Sequence, residues 1–252
     1  MEYITFCENG IYMVFSVSGE HCLSLLYFSA LPYGNLEFND FDYRIFNPVE
    51  LVISEAEYYE EQKTKRINSL IHNYGLCYRY HTDMRNPTGR KIEFVTIDEE
   101  KALEITLHFQ FYNDISAVRC WSEVYNGGTL SRLLKYVSSL NLHWPRNYKL
   151  KSFNKEIGIC LLSNYVKNGL GLLVQREHTE GLCFQIGDNS LRHWEFGEYG
   201  ETFYLKVGGP DRSSGWQKII APDERFISIP VMAAVRPGDL NSAFDELMRV
   251  GR

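Results

Sequence analysis

The chain has 252 residues, a formal net charge of −6 and 14% aromatic side chains. It has no dense basic stripe, which argues against a nucleic-acid partner, and no run of 18 apolar residues that predicts a membrane span. The N-terminus does not have the pattern of a signal peptide, and six scattered cysteines without a C-x-x-C pair are typical of a reducing compartment. These features predict a soluble cytoplasmic protein.

Short β-like runs bounded by Gly, Pro, Asn or Asp follow one another along most of the chain. Many short strands at such a spacing predict an all-β fold, an antiparallel sandwich or barrel. The clearest strand runs from Leu103 to Phe111, where the odd positions are apolar and the even positions are polar. This alternation predicts that one face lies inward and the other outward.

The next strand follows a turn signal at Asn113-Asp114. The strand places Val118, Cys120, Ser122 and Val124 on one face and Arg119, Trp121, Glu123 and Tyr125 on the other. Asn126-Gly127-Gly128 supplies residues that tolerate positive φ, so the sequence predicts a tight hairpin turn there. The second face has two interpretations, a surface that binds a sugar or ordinary packing of the sandwich.

Two segments depart from the strand pattern. Ser54 and Glu57 have the spacing of a capping box, which favours either a short helix or a solvated charged loop. Near the C-terminus Asp239 can cap a helix, and one helical face then carries apolar side chains, those of Leu240, Phe244, Leu247 and Met248. The sequence therefore predicts a β-sandwich over 1–238 and an amphipathic helix over 239–252.

Whether this apolar helical stripe is exposed or buried distinguishes a chain that lacks a neighbouring domain from a complete protein. An exposed stripe implies a missing neighbour, since monomers rarely leave large apolar patches bare. A buried stripe favours a complete protein.

Residues that carry chemistry are scattered. The seven histidines form no metal-binding spacing, and no G-x-S-x-G elbow marks a serine nucleophile, so we predict no metal and no cofactor. Glu177 and His178 are candidates for a sugar site because a carboxylate and an imidazole adjoin there. Trp194 and Trp216 are further candidates, since indoles stack on sugar rings, although they also fill sandwich cores.

Several segments, in their order along the chain, resemble one known family. These segments are "TDMRNP", "ALEITLHFQFYNDISAVRCWSEVYNGG", "LLKYVSSLNL", "QREHTEG", "GGPDRSSGWQKIIAPDERFISIPV" and "DLNSAFDELMRVGR". They are similar to the N-terminal β domain of the α-galactosidases (melibiases) of glycoside hydrolase family 36. The resemblance extends from about residue 74 to the end. Each motif alone is weak, and their order gives the resemblance its weight.

The resemblance implies a galactose-mutarotase-like antiparallel β-supersandwich. In that family a following (β/α)₈ barrel hydrolyses α-galactosides with retention, using two aspartates that have no counterpart in this chain, so no catalytic residue is assigned. The resemblance also implies that Asp83 and Arg85 lie in a loop that faces the barrel. It further implies that Arg119, Trp121, Glu123 and Tyr125 pack between layers of the sandwich and that the Asn-Gly-Gly turn is a structural corner. Asp223 replaces a glycine of the family's turn, and we expect it to keep the left-handed conformation, which Asp tolerates.

The first hypothesis is therefore a non-catalytic N-terminal domain of a retaining α-galactosidase-like hydrolase. Such a domain shapes the substrate pocket, contributes subunit contacts in a homo-oligomer, binds the α-galactoside together with the absent barrel, and is inactive alone. The alternative is a stand-alone carbohydrate-binding sandwich in which Glu177, His178, Trp194 or Trp216 lines a concave face. A third hypothesis is a sandwich used only for protein contacts.

Overall fold

Antiparallel β-strands make up nearly all of the regular structure. The computed structural model describes residues 1–34, 46–53, 76–145, 157–162, 171–176, 180–187, 193–199, 202–210 and 214–250. Within these ranges the chain forms β-strands and one C-terminal α-helix, so the predicted all-β class is confirmed. The predicted short helix or charged loop that begins at Ser54 lies outside the described residues. No helix of the described part is long and apolar enough to cross a bilayer.

The strands follow one another with short connections wherever the chain is described. Their bounds are β1 (Glu2–Glu8), β2 (Ile11–Val17), β3 (Leu23–Ser29), β4 (Leu51–Ile53), β5 (Leu76–Asn86), β6 (Gly89–Asp98), β7 (Leu103–Tyr112), β8 (Ile115–Asn126), β9 (Arg132–Val137), β10 (Leu140–Pro145), β11 (Ile157–Leu162), β12 (Gly171–Arg176), β13 (Glu180–Ile186), β14 (His193–Tyr199), β15 (Thr202–Gly209), β16 (Lys218–Ile220), β17 (Arg225–Ile227) and β18 (Val231–Pro237). The helix α1 is Leu240–Val250.

These strands form four sheets. The large sheet has nine strands in the order β11-β12-β13-β18-β8-β7-β6-β5, with β17 also paired to β8. Three smaller sheets have the orders β1-β2-β3, β10-β15-β14 and β16-β9-β4. One buried apolar cluster takes side chains from all four sheets. The large sheet therefore has an inner face on this core and an outer face.

Strand β7 shows why the sequence folds this way. Its odd residues, from Leu103 to Phe111, are at most 2% exposed and belong to the core. Its even residues lie on the outer face, as the alternation predicts. His108 and Gln110 on that face are nevertheless buried, because neighbouring strands cover them. Alternation thus identifies the face correctly but not how deeply a polar residue on it is buried.

Two turns test the conformations expected from the sequence. Asp223 has φ of 62°, so the aspartate adopts the left-handed conformation expected of it. Its backbone N–H donates to the carbonyl of Asn126, and its carboxylate accepts from the Tyr125 hydroxyl at 2.8 Å. This turn thus holds the end of β8.

The predicted tight hairpin at Asn126-Gly127-Gly128 is wrong. None of these three residues has positive φ, and β9 pairs with β4 and β16 rather than with β8. The Asn126 side-chain amide instead donates to the carbonyls of Leu130 and Ile220 and accepts from the Gly128 N–H. The segment is a corner that carries the chain from one sheet to another.

Helix α1 packs on the outer face of the large sheet. The Asp239 carboxylate accepts from the backbone N–H of Ser242 at 3.0 Å and so caps the first turn. Ala243 and Leu247 are buried against three small side chains, those of Ala117, Cys183 and Ala234.

The predicted apolar stripe of α1 is split between sheet and solvent. Leu247 is buried, Phe244 is partly buried against the same cluster, and Met248 is 39% exposed. The side chain of Leu240 lies outside the described residues. The helix therefore has a packing partner within this chain.

A buried ion pair joins two of the small sheets. The Nζ of Lys206, in β15, lies 2.7 Å from the Glu50 carboxylate, which precedes β4, and both side chains are at most 3% exposed. Lys206 Nζ also lies 4.9 Å from the centroid of the Tyr204 ring. Removing one member of such a pair leaves the other charge buried without compensation.

His143, in β10, lies near this pair. Its ring centroid is 5.4 Å from that of Phe46, and within the described part of the chain neither ring nitrogen has a hydrogen-bond partner. Burial, reinforced by the charge of Lys206, lowers the pKa of His143 to about 3. The ring is therefore neutral in the folded protein at pH 7.

We expect Lys206→Met to lower the free energy of unfolding by about 3–5 kcal/mol, because the buried Glu50 carboxylate then loses its cationic partner. The double variant Glu50→Gln with Lys206→Met should lose less than the single variant. Urea denaturation of both, with exposed Lys218→Met as the control, measures this. Equal losses in the single and double variants would contradict the assignment.

We also expect His143 to make stability fall in acid. Its pKa is depressed in the folded state relative to about 6.5 in the unfolded chain, so the unfolded chain binds the proton first. The contribution is complete above pH 6.5 and is lost as the pH falls towards 3. Between pH 7 and 5 the His143→Leu variant should lose about 2 kcal/mol less than the parent, as measured by urea denaturation at each pH.

Candidate functional site

The outer face of the large sheet carries a group of polar and aromatic side chains beside α1. Glu93 on β6 pairs with His108 on β7, which pairs with Trp121 on β8. Two residues further along each strand, on the same face, Gln110 on β7 pairs with Lys91 on β6 and with Arg119 on β8. Cross-strand partners share a face, so these residues form one surface. We call five of them, Lys91, Glu93, His108, Arg119 and Trp121, the outer-face cluster.

A stacked ring pair forms the centre of the cluster. The His108 and Trp121 ring centroids are 4.6 Å apart, and the ring planes differ by 8°. His108 is 7% exposed, whereas Trp121 keeps part of its surface in solvent. The stack restricts the rotation of both rings.

Glu93 determines the orientation of the imidazole. His108 Nδ1 lies 2.8 Å from Glu93 Oε1, and the same oxygen lies 2.6 Å from Lys91 Nζ. Since a carboxylate only accepts, Nδ1 carries the proton, and Nε2 of the neutral ring is an acceptor. Within the described residues Nε2 has no hydrogen-bond partner.

Burial and charge determine the protonation states in the cluster. Burial lowers the pKa of His108 below its usual value, while Glu93 opposes and Lys91 adds to the shift. Burial raises the pKa of Glu93, but the hydrogen bond and charge of Lys91, together with His108, outweigh it and bring the net pKa down. At pH 7 the cluster thus holds a carboxylate beside a neutral imidazole.

Two cations approach the indole. Lys91 Nζ lies 5.6 Å and Arg119 Cζ 5.7 Å from the centroid of Trp121, within the range of cation–π attraction. Arg119 is exposed. The cluster therefore combines an aromatic surface with cationic donors, a carboxylate and a buried imidazole.

Arg119 and Trp121 were expected to pack between the layers of the sandwich, and this prediction is wrong. The residues of β8 that face the core are the even ones, such as Cys120 and Val124. Arg119 and Trp121 lie on the outer face. No motif marks Lys91, Glu93 or His108 as members of a site, because their proximity arises from the register of three strands.

Asp83 and Arg85 lie within strand β5, so the predicted loop is wrong. Arg90 binds both oxygens of Asp83, at 2.8 and 2.7 Å, and lowers the pKa of that carboxyl. Arg85 binds both oxygens of Glu8 on β1, each at 3.0 Å. Arg90 also contacts Glu8, so these pairs hold the β5-β6 hairpin against β1.

The other predicted site residues are not brought into the outer-face cluster. Trp194 on β14 and Trp216 before β16 are partly buried and pack against the main core. The Trp216 ring lies 5.4 Å from that of Phe226. Glu177 and His178 lie outside the described residues. Within the described ranges, no group of three His, Cys, Asp or Glu side chains is placed to hold a metal ion.

Comparison with solved structures relates the fold to two groups of proteins. The GH36 α-galactosidase AgaA from Geobacillus stearothermophilus superposes with a TM-score of 0.64 and 12% identity, over 96% of this chain and 42% of that one. An α-galactosidase from Lactobacillus brevis gives 0.65 and 9%, over 97% of this chain and 41% of that one. The chain thus spans well under half of these enzymes.

A third neighbour is more nearly matched in length. A putative aldose 1-epimerase from Klebsiella pneumoniae gives a TM-score of 0.56 and 10% identity, over 97% of this chain and 81% of that one. No family model and no curated protein matches the sequence. At these identities the likeness establishes the fold, which agrees with the galactose-mutarotase-like sandwich expected from the sequence.

We expect Glu93→Gln and Lys91→Gln to move the pKa of His108 in opposite directions. Glu93 favours the charged imidazole, so its loss lowers the pKa further, whereas loss of Lys91 raises it. Histidine side-chain NMR across a pH titration measures both. A rise in the pKa after Glu93→Gln would contradict the proposed contact.

Proposed function

We propose that this chain is a non-catalytic β-domain of an α-galactosidase-like glycoside hydrolase. The observation that carries the proposal is the partial match: 96% of this chain superposes on 42% of a GH36 α-galactosidase. The ordered sequence motifs, which resemble the N-terminal domain of the same family, support it independently. In this proposal the domain shapes the substrate pocket for α-galactosides, contributes subunit contacts and resides in the cytoplasm.

The carboxylates of the described strands also support a non-catalytic role. A retaining glycosidase needs two carboxyl groups roughly 5–5.5 Å apart on either side of the scissile bond. Asp83, Glu8, Glu50 and Glu93 are each held in an ion pair with a basic side chain. Carboxylates with such partners serve the framework of the domain, and the catalytic pair then belongs to the partner barrel.

A second candidate function is carbohydrate binding by the β-domain itself. The observation that favours it is the outer-face cluster, in which an indole and a guanidinium in contact with solvent adjoin a carboxylate and an imidazole. The two functions are compatible, since a domain without catalytic groups can still bind the sugar.

The first proposal predicts that the coding DNA continues past Arg252 into a (β/α)₈ barrel. It also predicts that the 252-residue chain alone does not hydrolyse a chromogenic α-galactoside, whereas the continuous protein does. Sequencing the locus and assaying both forms tests this. A stop codon directly after Arg252, or turnover that copurifies with the short chain, would overturn the proposal.

A further inference from the structure

We propose that the outer-face cluster is a binding site for a hexopyranoside, with Trp121 against the C–H face of the sugar ring. The inference rests on the second proposed function, carbohydrate binding by the β-domain, and assigns that binding to the outer-face cluster. This place differs from the positions of Trp194 and Trp216, which pack against the main core.

Trp121 provides the apolar part of the site. The indole stands on the outer face of β8, with part of its surface in solvent. An aromatic ring with a polar surround suits a ligand that has both an apolar face and a polar edge. A pyranose has this character, because its axial C–H groups lie on one side and its hydroxyls lie around the rim.

The charged neighbours of Trp121 provide hydrogen-bonding groups of both kinds. Arg119 is exposed and has five N–H donors, of which its hydrogen bond with Tyr112 uses only part. Glu93, whose side chain is 20% exposed, is an acceptor. A sugar hydroxyl both donates and accepts, so it requires such a mixture.

The site is preorganised before a ligand arrives. The stack on His108 fixes one side of Trp121, and Glu93 is held in turn by Lys91 and by the Thr82 hydroxyl at 3.2 Å. Side chains already restrained in this way lose little conformational entropy on binding. A rigid site of this kind favours a small ligand of fixed shape.

Helix α1 borders the cluster. The helix packs on Ala117, two residues before Arg119 on the same face of β8. At this border Glu246 is bound by Arg249 at 2.9 Å and accepts from the backbone N–H of Ser116 at 3.0 Å. The helix therefore stands on the outer face of the sheet next to the cluster.

The chemistry of the cluster favours a sugar over a protein partner. The centre of a protein–protein interface is depleted of charged residues. Three of the five members of the cluster are charged at pH 7, and His108 is a polar acceptor. An apolar protein surface placed there would remove the exposed Arg119 guanidinium from water without offering it a hydrogen-bond acceptor.

Titration of the folded chain with methyl α-D-galactopyranoside, followed by calorimetry and tryptophan fluorescence, tests the proposal. We expect saturable binding that Trp121→Ala weakens at least about tenfold, a change of about 1.4 kcal/mol. Arg119→Gln should weaken binding without loss of stability, because the side chain is exposed. Arg79→Gln, an exposed arginine on β5, is the matched control and should bind as the parent does.

Each alternative outcome discriminates between the proposals. If Trp194→Ala or Trp216→Ala abolishes binding and Trp121→Ala does not, the site is wrong but carbohydrate binding stands. If the parent chain binds neither this galactoside nor raffinose, both carbohydrate proposals fail and the non-catalytic domain remains. If Trp121→Ala alters only the oligomeric state in size-exclusion chromatography, the cluster is a protein contact. Circular dichroism melting confirms that each variant is folded.

Discussion

A carboxylate buried at a junction between two sheets needs a partner within the protein, because its charge is costly to remove from water. The Glu50–Lys206 pair meets this requirement between two small sheets. The Glu180 carboxylate meets it between the large sheet and β3, where it accepts from the Ser29 hydroxyl at 2.5 Å and the Ala30 N–H at 2.8 Å. Apolar contacts bring the sheets together, and any packing that displaced either carboxylate would bury it away from these partners.

The two faces of the large sheet differ in their side chains and in what packs against them. The inner face is committed to the core, and its side chains are nearly all apolar. The outer face is free to vary, and it carries α1 at one end and the outer-face cluster beside it. A substitution at Arg119 on the outer face leaves the core packing intact, so side chains for binding can occupy this face without destabilising the fold.

Local chemistry was predictable from the sequence, whereas long-range placement was not. The alternation of Leu103 to Phe111 and the left-handed Asp223 follow from side-chain periodicity and backbone preference. The turn residues at Asn126 predict a tight hairpin, whereas the family resemblance implies the corner that the structure shows, because a turn signal alone does not reveal which sheet the next strand joins. The alternation brings Arg119 and Trp121 to one face, but only the register of β6, β7 and β8 places Lys91, Glu93 and His108 beside them.

The contact of Glu180 with Ser29 and Ala30 has a consequence for synthesis of the chain. These groups are about 150 residues apart in sequence, and ribosomes add roughly 5–20 residues per second. The hairpins β1-β2 and β5-β6 can form as they emerge, but β3 must wait on the order of ten seconds for β13. During that interval the apolar side chains of β3 lack the partners that later strands provide, and chains in such a state are prone to aggregation.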